Sequence, residues 1–148
     1  MNNNITWLLV ADASKARLYS MHKARVFQQQ NAKELELVAE YVHANSRKKG
    51  AELASDKMGE FGSGTFVENT SPKVHEAEQF AHELLGHLES ARKEGSFRDL
   101  IIVAPPTFMG LLHKHMPNEI HKLVSQKIEK DYTQNNIQEL MQNLITHF

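Results

Sequence analysis

Residues 5–11 read Ile-Thr-Trp-Leu-Leu-Val-Ala, and residues 97–104 read Phe-Arg-Asp-Leu-Ile-Ile-Val-Ala. Ile5–Ala11 is almost wholly apolar and only seven residues long. That is too short for a helix and fits a strand covered on both faces. Phe97–Ala104 reads the same way and is stopped by Pro105-Pro106. Two such strands far apart in one short chain call for a sheet with helices on its faces.

The rest of the chain is laid out around them. Asp12-Ala13-Ser14-Lys15 is a turn, because Asp and Ser side chains bond their own backbone. Ala16–His22 is then a second strand, antiparallel to the first. Lys23–Ala32 is polar and reads as a further turn. Glu34–Val42 is a third strand, with Leu35 and Leu37 alternating toward the core. Ser71-Pro72 opens a long helix, with serine as cap and proline in its first turn. Val74, Ala77, Ala81, Leu84, Leu88 and Ala91 form its apolar stripe, and Gly95 ends it. Thr107 caps a short helix that runs through His115. Ile120–Tyr132 is ambiguous: Ile120, Leu123, Val124 and Ile128 fit a helix, while Val124, Gln126 and Ile128 alternate as on one face of a strand. Asn135–His147 fits a last helix with Ile137, Leu140, Met141, Leu144 and Ile145 inward. The expectation is one α/β domain over residues 1–148, with a mixed sheet of about five strands. Its first strands are joined by hairpins and its later ones by helices.

Composition narrows the chemistry. The chain has 148 residues and no cysteine, which excludes disulfides, thiolate nucleophiles and cysteine-held metals. No early apolar run is long enough for a signal core or a membrane span, so a cytoplasmic protein is expected. The net charge of -1 hides a gradient. Residues 13–58 hold nine Lys/Arg against five Asp/Glu, whereas residues 59–100 hold four against eight. A basic face is therefore open to this chain despite its neutral total.

Several motifs resemble a known family. Trp7-Leu8-Leu9-Val10-Ala11-Asp12-Ala13-Ser14-Lys15-Ala16-Arg17 is similar to the opening of the bacterial host-attachment proteins. The likeness continues at Ser55-Asp56, at Gly59 and at His75-Glu76-Ala77-Glu78-Gln79-Phe80-Ala81. It returns at Val103–Leu112 and at Ile128-Glu129-Lys130-Asp131-Tyr132-Thr133. This resemblance implies a part in attachment to host cells and implies no mechanism. The order of elements also resembles the middle domain of archaeal and eukaryotic peptide-chain release factors and of Pelota. That second likeness favours a strand at Leu123–Lys130 and implies an RNA or ribosome partner. It does not imply peptide release, because Gly62-Ser63-Gly64-Thr65 stands where those factors carry Gly-Gly-Gln.

The residues themselves offer few catalytic constellations. Gly59-Glu60-Phe61-Gly62-Ser63-Gly64 lacks the Lys-Ser/Thr of a phosphate loop. Gly59, Phe61, Gly62 and Gly64 instead mark a flexible loop, expected to order only against a partner. His75 and His82 share a helix face with Glu78 or Gln79 between them, but lack the His-Glu-x-x-His spacing, so no metal is expected. Asp12 and Asp131 each follow a strand, as acidic residues do in two-metal nucleases, yet turn formation explains both. No cofactor and no enzyme activity are expected. The leading candidates are Lys15, Arg17, Arg25, Arg47, Lys48, Lys49 and Lys57, which would meet phosphate groups if hairpin and loop share a face. A protein-interaction module is the alternative. The oligomeric state is left open.

Overall fold

Six residues, Thr6–Ala11, form β1, and all six are buried. β1 pairs antiparallel with β2 (Lys15–Met21) on one side and parallel with β4 (Asp99–Val103) on the other. β3 (Glu36–Val42) continues the sheet beyond β2, and β5 (Val124–Ile128) continues it beyond β4. The order is β3-β2-β1-β4-β5, with β2 alone running against the others. The computed structural model describes residues 4–43 and 72–147.

Helices cover both faces. On one lie α2 (Pro72–Lys93), α3 (Pro106–His115) and the single turn α4 (Asn118–His121), packed on Leu9, Leu18, Leu100 and Ile102. On the other lie α1 (Lys23–Gln29) and α5 (Ile137–Ile145), packed on Leu8, Val10, Ile101 and Val103. Successive residues of β1 and β4 thus enter opposite cores, which is why both strands are apolar throughout. Each fully buried Leu, Ile or Val there contributes about 1.5–3 kcal/mol of apolar transfer. Trp7 stacks on Phe97 with ring centroids 4.8 Å apart, closing the first core beside the α2–β4 connection.

The chain departs from the sequence reading in five places. Lys23–Gln29 is a helix rather than a turn. Its one buried side chain, Val26, docks it on the sheet, and one apolar residue leaves no period to read. Glu34 belongs to a 3-10 turn, Ala32–Glu34, so the third strand starts at Glu36. Leu37 is half exposed: it pairs with buried Tyr19, but its strand ends the sheet and has no neighbour on its outer side among the described residues. Thr107 lies inside α3, whose cap position is Pro105 and carries no side-chain cap. Val124 and Gln126 do not share a face. A second bulge pairs Val124 with Leu100 but Gln126 with Ile101, which turns Gln126 toward α5, where its Nε2 donates to the His147 carbonyl at 2.8 Å.

α2 stops as its sequence requires. Gly95 has φ +75°, its N–H donates to the Arg92 carbonyl, and the Ser96 N–H donates to the Ala91 carbonyl. This is a Schellman motif. The Ser71 cap expected at the other end lies outside the described residues. Among the described residues, nothing beyond the immediate chain neighbours and the helix's own backbone lies within 4 Å of a Cβ built at Gly95 or Gly110, so backbone conformation sets the effect of adding one. Gly95→Ala is expected to destabilise the protein by about 1 kcal/mol, because Ala is strained at positive φ. Gly110→Ala, inside α3, is expected to stabilise it by about 1 kcal/mol. Urea unfolding midpoints moving in opposite directions check the pair.

Candidate functional site: an interaction surface

The described surface is most distinctive around β3. This strand ends the sheet, and nothing among the described residues pairs with its outer side. It exposes three large apolar side chains, Leu37 at 50%, Val38 at 43% and Val42 at 53%. Val38 is the bulged residue, opposite no residue of β2. Scattered apolar residues are normal on a surface, but three on one edge strand form a local patch.

Beside that patch a cleft of about 260 Å³ is lined by Val10, Lys15, Arg17, Glu40, Val42 and Thr133, among others. Lys15 and Arg17 project from one face of β2, two residues apart. Arg17 Nη2 donates to the carbonyls of Thr133 at 2.9 Å and Asn135 at 3.3 Å, so it fastens the β5–α5 connection to the sheet. Both acceptors are neutral, and neither Lys15 nor Arg17 forms an ion pair among the described residues. Burial raises the Tyr19 phenol above its usual value; Arg17 opposes that shift and Glu40 adds to it.

The floor of this region is a polar knot that no single sequence position announces. Asp12 Oδ1 accepts the backbone N–H of Ser14 and of Lys15, both at 2.9 Å. The Thr133 hydroxyl lies 3.1 Å from Asp12 Oδ2 and 2.6 Å from Asp131 Oδ1. The Thr133 N–H also donates to Asp131 Oδ1 at 3.1 Å. The two aspartates at strand ends therefore do meet, through one threonine. They act as turn caps, as their Asp-x-Ser/Thr spacing suits them to do. A single hydroxyl proton serves only one carboxylate at a time, so the buried Thr133 holds the β1–β2 turn against the β5–α5 connection.

The other sequence candidates separate. Arg25 sits on α1, past the far end of β2 and about 20 Å of strand from Lys15, and its Nε lies 3.3 Å from Glu34. Arg47, Lys48, Lys49, Lys57, Gly59, Phe61, Gly62 and Gly64 lie outside the described residues. His82 packs on His115, ring centroids 4.3 Å apart, rather than joining His75. Glu78 accepts from His115 at 2.9 Å and from Lys114 at 3.4 Å, and these bonds hold its carboxyl below the usual range. No group of three His, Asp or Glu suited to a metal ion occurs among the described residues. His43, buried at the end of β3, donates from Nε2 to Glu76 at 2.7 Å and ties that edge to α2.

A family model described as "Protein required for attachment to host cells" matches residues 7–144, which include every described strand and helix but for the first residue of β1 and the last of α5. The chain belongs to that family. It is also 30% identical over 74 residues to the protein described as "Uncharacterized protein RP470" of Rickettsia prowazekii (strain Madrid E). That match spans 49% of this chain and 49% of the relative. A solved structure described as "Archaeal protein" aligns with 99% of this chain and 37% of its own, at 10% identity and a TM-score of 0.44. The release-factor and Pelota likeness gains no support from these matches. No described helix is long and apolar enough to cross a membrane.

If Thr133 is the clasp described, Thr133→Val leaves one carboxylate short of a donor in a half-buried setting. It should lower unfolding free energy by about 1–3 kcal/mol. Thr133→Ser, which keeps the hydroxyl, should recover most of that loss in the same denaturation series.

Proposed function

We propose that the protein is a non-catalytic protein-interaction module that contributes to attachment to host cells through the β3 edge and its adjoining cleft. Family membership supports the attachment role. The observation that supports the surface is the exposure of Leu37, Val38 and Val42 together on one edge strand. An edge strand offers unpaired backbone groups, and apolar side chains beside them supply the area that a polypeptide partner would cover. Lys15, Arg17 and Glu40 give that surface charges of both signs, which select a partner more than they strengthen its hold.

RNA or ribosome binding is the weaker reading. Arg17 is committed to two backbone carbonyls, and Arg25 lies at the other end of β2. Lys15 and Arg17 on the one hand and Arg25 on the other thus make no single phosphate-tracking stripe.

The test is an attachment assay with cells of the source organism carrying Leu37→Ser and Val42→Ser together. Attachment should fall by about tenfold or more, the scale of losing interface hot spots. Protein level and melting temperature should stay near those of the parent, since both side chains are about half exposed already. Phe27→Ser, at an equally exposed apolar residue on α1, should leave attachment unchanged. Unchanged attachment in the double variant would overturn the assignment of this surface.

A further inference from the structure

The two edges of the sheet carry opposite charge. β3, Glu-Leu-Val-Ala-Glu-Tyr-Val, itself holds Glu36 and Glu40 and no cation, the cations Lys15 and Arg17 of the adjoining cleft lying one strand inward on β2. Both are exposed, and neither forms an ion pair among the described residues. β5, Val-Ser-Gln-Lys-Ile, holds Lys127 and no carboxylate. Lys122 precedes it, and Glu129 and Lys130 follow it. Lys122 is paired with Glu119 at 3.6 Å, whereas among the described residues Lys127 meets His113 Nδ1, at 2.8 Å, and no carboxylate.

Direction matters as much as charge. β3 opposes β2, β2 opposes β1, and β1 runs with β4 and β5, so the two edge strands point the same way. A second copy placed edge to edge without inversion sets β5 against β3 as a parallel pair and continues the sheet.

One face-matched pairing of like edges is disfavoured by charge. The bulge at Val38 puts Leu37, Glu40 and Val42 on one face of β3 and Glu36, Ala39 and Tyr41 on the other. An antiparallel β3–β3 pair that matches faces and joins Ala39 to Tyr41 opposes Glu40 to Glu40. Like charges directly opposite destabilise a pair. Charge of one sign along an edge guards it against its own kind. Opposite signs on the two edges leave the unlike pairing open.

We propose that copies of this chain associate edge to edge, the acidic β3 of one on the basic β5 of the next, into an open-ended sheet. Such a contact is heterologous and does not close at two. The inference rests on reading β3 as an interaction surface and names a second copy as its occupant.

The test is sedimentation of the full chain over a range of concentrations. At about 10 mM salt, where charges act over roughly 30 Å, apparent mass should rise past that of a dimer. At about 1 M salt it should return to the monomer. Glu36→Lys with Glu40→Gln makes both edges basic, and Lys127→Glu makes both acidic. Each variant alone should stay monomeric, with a parental circular dichroism spectrum. Mixed in equal amounts they should associate again, because each then offers the charge that the other lacks. A monomer at every concentration, growth that stops at a dimer, or a mixture that stays monomeric would overturn the proposal. Loss of self-association in the variants with intact attachment would keep this inference and reject the attachment role of β3. Attachment lost in the Leu37/Val42 variant of a chain that never self-associates would do the reverse.

Discussion

Everything in this fold hangs on β1 being paired on both sides and buried on both faces. Its backbone groups are satisfied by β2 and β4, and its side chains divide between two cores. A strand of that kind needs an antiparallel neighbour, a parallel neighbour and two helical layers. The parallel neighbour in turn needs a crossover, which ends in α2 and delivers the chain to β4. The mixed sheet follows from this one strand, and so does the position of β3 at an edge, two strands out.

How much of this was legible in the sequence depends on how many neighbours each element has. β1 and β4 could be read because strands buried on both faces are apolar at every position. α2 and α5 could be read because a helix on a sheet buries one stripe. α1 could not, since Val26 alone is buried and its helix depends on docking rather than on period. The faces of β3 and β5 could not be read either. Each holds a bulge, and one inserted residue reverses the alternation after it. Leu37, which precedes the bulge, lies on the face of buried Tyr19 as its alternation predicts, and is half exposed because β3 is the edge of the sheet.

The site was legible in fragments. Charge marked Lys15 and Arg17, but not that Arg17 reaches residues more than a hundred positions away. Thr133 was missed. A signal for it existed, since Asp12-Ala13-Ser14 and Asp131-Tyr132-Thr133 repeat the same turn chemistry after two parallel strands. Sequence alone does not say that two such turns lie side by side. The strand order does, by placing β1 and β5 on either side of β4.

The central claim is that β3 offers its outer edge to a partner while β1 is locked inside the sheet. Amide hydrogen exchange on the dilute, monomeric protein tests it directly. The account predicts that β1 and β4 amides exchange only with global unfolding, while the outward-facing amides of β3 exchange far faster and gain protection when the partner edge is bound. Outward β3 amides as slow as those of β1 in the dilute monomer would mean that the edge is already covered, and would contradict the account.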